Sequence, residues 1–260
     1  LSFETVIGIY VFLIGLALGS FLNVLIARLP RGISIASPPS SCPKCGSRIK
    51  PYDNIPVLSY LILRGRCRSC CVRIPLKYPV VELVTAVLIF CVYLKFGQTL
   101  LALKYGVFVF LLLGAGFTDL FTAFDEEFEC GIIPDSYTIG GAAVGMVFSF
   151  FTVPGFQTSL LGAAAGFLAL FIPGFVYKLL RKQEGMGGGD IKLMAMIGAF
   201  LGYVPIYFVV FGSALAGVII SLPYVFFLKN WKYMIPFGPF MVVSAIFFVF
   251  FQERILTMFF

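Results

Sequence analysis

The sequence predicts an all-α polytopic membrane protein, with about eight transmembrane helices and a small zinc-ribbon-like module between the first and second. Three observations carry that expectation. Of the 260 residues 60% are hydrophobic and 12% charged, with a mean hydropathy of +1.02, whereas a soluble domain carries about twice that charge. Apolar runs of about 20 residues, enough to cross roughly 30 Å of hydrocarbon as helix, recur along the chain. One stretch, residues 29–77, breaks the pattern with nine Lys and Arg, seven Pro and paired cysteines. Runs such as residues 160–177 are apolar on every face, so helix rather than an alternating barrel strand is the spanning form.

In order, the spans are residues 6–27, 80–93, 100–118, 137–153, 160–177, 191–201, 206–228 and 236–251. The first is long, lacks a basic leading end and is followed by Arg28 and Arg31, so it reads as a retained span rather than a cleaved signal. The sixth covers only about half the bilayer core at 1.5 Å per residue. Either residues 203–205 extend it, or the membrane is thin or wet there. Basic residues mark cytoplasmic loops. An N-out, C-out orientation puts 16 of the 19 Lys and Arg inside, leaving Lys95, Lys104 and Arg254 for the other face. The net charge of +7 is therefore mostly a topology signal. The chain shows no aromatic-lined basic surface of the kind that binds nucleic acid.

The chain has no histidine, which removes most serine and cysteine hydrolase chemistry and the HExxH zinc proteases. Acid–base catalysis near neutral pH must then use carboxylates, Lys, Tyr or Cys. Seven cysteines facing a reducing compartment argue for thiols or metal, not disulfides. Cys42-Pro-Lys-Cys45 and Cys67-Arg-Ser-Cys70 form two C-x2-C knuckles. Four thiolates close a tetrahedral Zn²⁺ shell, and a loop of this size without a large core gains its folding energy from the metal. Two reduced dithiols are the alternative. A filled four-cysteine shell has no open position, so the expected role of the metal is structural.

Two carboxylates lie at span ends. Asp190 follows Gly185-Met-Gly-Gly-Gly; it reads as a helix cap after a flexible loop, or as a functional carboxylate whose glycines admit an extended peptide. Asp119 ends the run VFVFLLLGAGFT, and carboxylates at membrane depth are costly enough to be functional candidates. Two such groups sharing one proton supply a base for water and an acid for a carbonyl. Between Asp119 and Asp135 the loop carries Asp125, Glu126, Glu127 and Glu129 and no basic residue. Asp125 is the main competitor of Asp119, and Asp135 a lesser one.

Together these motifs resemble the type IV prepilin peptidases, the bifunctional leader peptidase/N-methyltransferases. The resemblance runs nearly end to end. It includes Gly19-Ser-Phe-Leu-Asn-Val24 with Arg28-Leu-Pro30, the knuckles around Asp53-Asn-Ile-Pro56, Ser59-Tyr60, Gly65-Arg-Cys67 and Tyr78-Pro-Val-Val-Glu82. It continues with Ile133-Pro-Asp135, Gly187-Gly-Gly-Asp190 with Lys192, and Pro236-Phe-Gly-Pro239. It implies an aspartyl peptidase at the cytoplasmic face of the bacterial inner membrane, cutting after a Gly at the end of the basic leader of a prepilin or pseudopilin. It also implies methylation of the new amine with S-adenosylmethionine. Asp190 and Asp119 match the catalytic pair, with Gly187, Gly189 and Lys192 supporting the catalytic loop. Family members commonly set the first aspartate eight residues before the Asp of the Pro-Asp pair. Here that position is Glu127, which implies an eight-residue insertion after Asp119.

The implied domains are a first transmembrane helix (1–28), a methyltransferase-associated cysteine module (29–78) and a helical peptidase domain (79–260). No Rossmann-type glycine fingerprint marks a methyl-donor site. Glu82 reads either as a donor contact or as an acid near a helix start, and Asn23 either as a donor contact or as an interhelical hydrogen bond. The acidic insertion reads either as an attractor of the basic leader or as a solvated loop. The rival readings are a peptidase without methylation, and a transporter with a zinc-bound cytoplasmic module.

Overall fold

Helix accounts for every long element of the computed structural model, which describes residues 2–183, 185–228 and 236–259. Lys229 and Lys232, counted above toward the inner face, lie outside the described residues. The helices are α1 (Phe3–Arg28), α2 (Leu58–Ile62), α3 (Lys77–Phe96), α4 (Leu100–Ala123), α5 (Asp135–Ser149), α6 (Phe156–Arg181), α7 (Gly188–Leu201), α8 (Val204–Leu228) and α9 (Gly238–Phe259). Five of them, α1, α3, α4, α6 and α9, contain stretches long and apolar enough to cross a membrane, and residues Val204–Ile220 of α8 form a shorter apolar run. The protein is a multi-pass membrane protein. Backbone hydrogen bonding carries α1, α3 and α6 past the expected spans at both ends and α4 past its C-terminal end, because in lipid every N–H and C=O needs a partner within its own segment. In contrast, α5 stops at Ser149, short of the expected 153, and α9 begins at Gly238 rather than 236.

One expected extension does not occur. Gly202 ends α7 at φ +88°, a left-handed value that glycine adopts at little cost, and α8 restarts at Val204. Val204 and Pro205 thus open the next helix, after Tyr203 in the turn between the two. Instead, α7 gains its first turn from Gly188, Gly189 and Asp190. Its 14 residues still span only about 21 Å.

The chain divides into two compact units, Leu1–Ala102 and Leu103–Phe260. In the first, α1 crosses α3 closely. A methyl group on Gly15 or Gly19 would strike the backbone of Ala86 or Glu82 respectively, the close approach that small-xxx-small spacing permits in membranes. Between these helices runs the cysteine module. Each knuckle is closed by an antiparallel bridge, Ser41 with Arg48 and Arg66 with Arg73. A short 3-10 turn over Pro51–Asn54 and α2 link them.

In the second unit, Gly162 and Gly166 of α6 lie against the backbone of α7 at Gly198 and Met194, and the Ser159 hydroxyl donates to the Ala199 carbonyl. Lys104, counted above among the loop charges, is fully buried. Its ammonium donates to the Val153 carbonyl at 2.5 Å, fastening the start of α4 to the α5–α6 turn.

Candidate active site

Asp119 lies inside α4, not at its end, since the helix continues to Ala123. The side chain is 5% exposed. Two glycine backbones enclose its carboxylate. A methyl group built on Gly131 would fall on Oδ1, and one on Gly238 would fall on Oδ2. The Gly238 N–H donates to Oδ2 at 3.1 Å, so the first turn of α9, the positive end of its dipole, faces the carboxylate. Thr122 pins the returning loop. Its hydroxyl donates to the Thr118 carbonyl at 2.7 Å and accepts the Ile132 N–H at 2.8 Å, which sets Gly131 beside Asp119.

Asp190 is the third residue of α7, after the N-cap Gly187, and a carboxylate in a first helical turn is favoured by the helix dipole. A side chain on Gly187 would crowd its Oδ2, and one on Gly189 would press on Ile133. Ile133 also lies against Gly238, so this one residue touches the segments that carry Asp190 and enclose Asp119. Through Ile133 the structure brings the first turn of α7, which carries Asp190, next to the glycine backbone around Asp119. Lys192, two residues on, donates to Asp135 Oδ1 at 2.7 Å and ties the start of α7 to the start of α5. Asp135 is thus engaged with an ammonium. Asp125 stands in a turn, its Oδ1 accepting the Glu127 N–H at 3.2 Å, while Glu126, Glu127 and Glu129 are exposed.

The first unit holds a second polar cluster. The Sγ atoms of Cys42, Cys45, Cys67 and Cys70 all lie within 4.8 Å of one another, and those of Cys42 and Cys70 are 3.8 Å apart. A tetrahedral shell with metal–sulfur bonds of about 2.3 Å has sulfur–sulfur edges of roughly 3.8 Å, so the four residues fit a metal ion. The Ser47 hydroxyl and backbone, hydrogen bonded to Cys45, pull that thiol down to about 6, and the backbone of Cys70 and Ser69 lowers that of Cys67. Thiolate, the ligating form, is thereby favoured at Cys45 and Cys67, whereas, against the lowering backbone hydrogen bond of Val72, burial and the neighbouring Cys45, Cys67 and Cys42 sulfurs push the Cys70 thiol up to about 11. Cys71, Cys91 and Cys130 stand apart from this cluster. Arg68 grips Asp53 with Nε 2.8 Å from Oδ2 and Nη2 2.5 Å from Oδ1. Those bonds hold the Asp53 carboxyl below its usual value.

Glu82 is buried and its Oε2 accepts the Val57 N–H at 2.7 Å. Asn23 donates through Nδ2 to the Tyr78 carbonyl at 3.0 Å, an interhelical bond between α1 and α3. Sequence reasoning missed Gly131, Gly238 and Thr122 as partners of Asp119. Gly238 stood in a quoted motif without an assigned role; nothing in the composition around Gly131 marks it.

Two family models match the chain, the Bacterial Peptidase A24 N-terminal domain over residues 13–96 and the type IV leader peptidase family over residues 107–222. Over 260 aligned residues it is 35% identical to the Prepilin leader peptidase/N-methyltransferase of Vibrio cholerae, covering 94% of this chain and 96% of that one. The chain belongs to the type IV leader peptidase family. Two further relatives carry the same name. That of Myxococcus xanthus is 38% identical over 221 residues, 85% of this chain and 64% of the relative's length. That of Neisseria gonorrhoeae is 35% identical over 235 residues, 80% and 79% respectively. No solved structure matches the chain. The family matches meet each compact unit separately, the first covering most of α1, the cysteine module and α3, the second most of α4 through most of α8.

Proposed function

We propose that the protein is a prepilin leader peptidase and N-methyltransferase, and that Asp119 and Asp190 form its peptidase dyad. The observation that carries the dyad is geometric: Ile133 packs against both Gly189, next to Asp190, and Gly238, which with Gly131 encloses the Asp119 carboxylate. Family membership and the relatives' shared name support the two activities. One carboxylate takes a proton from water, whose oxygen attacks the carbonyl carbon of the leader's last glycine. The other, protonated, donates to the carbonyl oxygen; collapse breaks the C–N bond, and the amine leaves with a proton. Gly187 and Gly189 give backbone access beside Asp190, and Lys192 fixes the start of α7 through Asp135.

The new amine then takes a methyl group from S-adenosylmethionine. For this second step we assign the cysteine module, residues 29–78, and place the peptidase in residues 79–260. Asn23 and Glu82 are the candidate donor contacts, since they hold polar atoms together in an otherwise apolar helix pair. Cys42, Cys45, Cys67 and Cys70 hold Zn²⁺, which supplies folding energy to a module with little core. The site faces the cytoplasm across the bacterial inner membrane, and its substrates are prepilins or pseudopilins with basic leaders.

The test uses purified protein and a peptide with a basic leader, a glycine and an apolar helix. Wild type should cut after the glycine, and Asp119→Asn and Asp190→Asn should each lose about 10²–10⁴-fold while keeping helical content. Full activity in either variant removes the dyad. Failure of wild type to cut any such peptide removes the peptidase.

A further inference from the structure

The cysteine module presents an apolar ridge beside an arginine-lined recess, and we infer that this is a binding site for anionic lipid headgroups of the membrane that α1 and α3 cross. The inference goes beyond the proposed function and does not depend on it. Leu58, Leu61 and Ile62 of α2 stand at i, i+3 and i+4, on one helical face, and are 50%, 65% and 66% exposed. Their orientation is fixed from behind. Tyr60 points inward, its ring packed so closely on Gly65 that a methyl group there would meet the hydroxyl, and the Gly65 N–H returns to the Tyr60 carbonyl at 2.9 Å. The ridge therefore cannot roll into the module to hide. Directly after it, Arg64 and Gly65 take positive φ values of 50° and 66° and swing the chain back. This turn places Arg64, Arg66 and Arg68 around an open recess of about 490 Å³ that Ile62 and Leu63 also line. Arg68 is engaged with Asp53, which leaves Arg64 and Arg66, both exposed, as the residues that meet the ligand.

Three features select the bilayer as occupant. Within residues 29–77 nine basic residues face one acid, Asp53, a charge excess that anionic surfaces attract. Both ends of the module are fastened to spans, since α1 ends at Arg28 and α3 begins at Lys77. The depth is also set: Val57, the residue before α2, bonds to Glu82 at 2.7 Å. Glu82 lies about 7.5 Å along α3 from its first residue at 1.5 Å per residue. The start of α2 is thus held against the first turns of α3, at the end of a candidate span where headgroups lie. A short helix with a bare apolar face and flanking arginines at that depth has the character of an interfacial element. The leucines enter the acyl boundary and the guanidiniums bind the phosphates, for which their paired N–H groups are suited.

The experiment uses the full chain with its single tryptophan, Trp231, replaced by Phe, and a reporter introduced by Leu61→Trp. The protein is placed in bilayers of phosphatidylcholine and phosphatidylglycerol in which one or the other lipid carries bromine. Brominated phosphatidylglycerol should quench the reporter more strongly than brominated phosphatidylcholine at equal mole fraction. Arg64→Gln and Arg66→Gln should each cut that enrichment by about fivefold. Leu58→Trp supplies a second reporter should Leu61→Trp not fold. Equal quenching by both lipids, or none by either, overturns the site. Loss of enrichment on adding excess inorganic phosphate or S-adenosylmethionine also overturns it, by assigning the recess to a soluble anion or to the methyl donor.

Discussion

The two units hold their polar groups in opposite ways. In the cysteine module the four sulfurs come from two knuckles, each closed within a few residues by its own bridge. In the helical unit the Asp119 carboxylate is enclosed by backbone from the α4–α5 loop at Gly131 and from the start of α9 at Gly238, segments far apart in sequence. Local ligation tolerates movement of the helices around it but not loss of a ligand. Remote enclosure tolerates many side-chain changes but not one added methyl group where backbone meets carboxylate.

The largest effect expected from that contrast is in the module. Structural Zn²⁺ contributes about 10–16 kcal/mol of apparent binding energy in small domains, so Cys42→Ser with Cys67→Ser should abolish both stoichiometric metal and methylation, while cleavage persists. Metal analysis and intact mass of the product check this; equal loss of cleavage would show that the units do not work separately. Next is Gly131→Ala. The added methyl must displace Asp119, and a shift of about 1 Å in a catalytic group costs on the order of 10²-fold, read in kcat. Gly140→Ala, where an added methyl meets nothing within 4 Å, is the control and should leave kcat unchanged. If both variants behave alike, the enclosure has no catalytic meaning.

Smaller is Lys192→Met. The ion pair with Asp135 is half exposed, with side chains 41% and 58% accessible, and such pairs contribute about 0.2–1 kcal/mol. Cleavage should fall by a few-fold only; a loss equal to that of Asp190→Asn would make Lys192 part of the chemistry.

The smallest concerns Asp53, whose carboxyl is held below its ordinary value by Arg68. A depressed folded value means stabilisation that is present above the unfolded value near 3.8 and lost as pH falls through the folded one. Asp53→Asn should remove that acid-dependent fraction of the module's unfolding, followed by loss of metal, and leave the neutral-pH midpoint slightly lower. An unchanged acid limb would show that the pair contributes nothing measurable.

The same contrast explains what the sequence disclosed. Ligand spacing is local, so the four cysteines were legible from two C-x2-C motifs alone. Long apolar runs likewise announced the spans, with their ends short because helices continue through polar residues such as Asp119 and Thr122. The first turn of α7 was harder to foresee, since Gly188 and Gly189 have poor helix propensity yet are helical here, with Gly189 against Ile133. Gly131 was invisible for a related reason. Its role is defined by what it lacks, a Cβ, opposite a side chain twelve residues earlier.

The central claim is that Asp119, rather than another acid of the α4–α5 loop or α5, works with Asp190. The direct measurement is cleavage of one leader peptide by Asp119→Asn, Asp125→Asn and Asp135→Asn side by side, with methylation of a pre-cut peptide as the check on folding. Loss of cleavage by about 10²–10⁴-fold in Asp119→Asn alone, with methylation intact in all three, is the predicted result. Near-normal cleavage by Asp119→Asn, with the loss appearing in Asp125→Asn or Asp135→Asn, would contradict it.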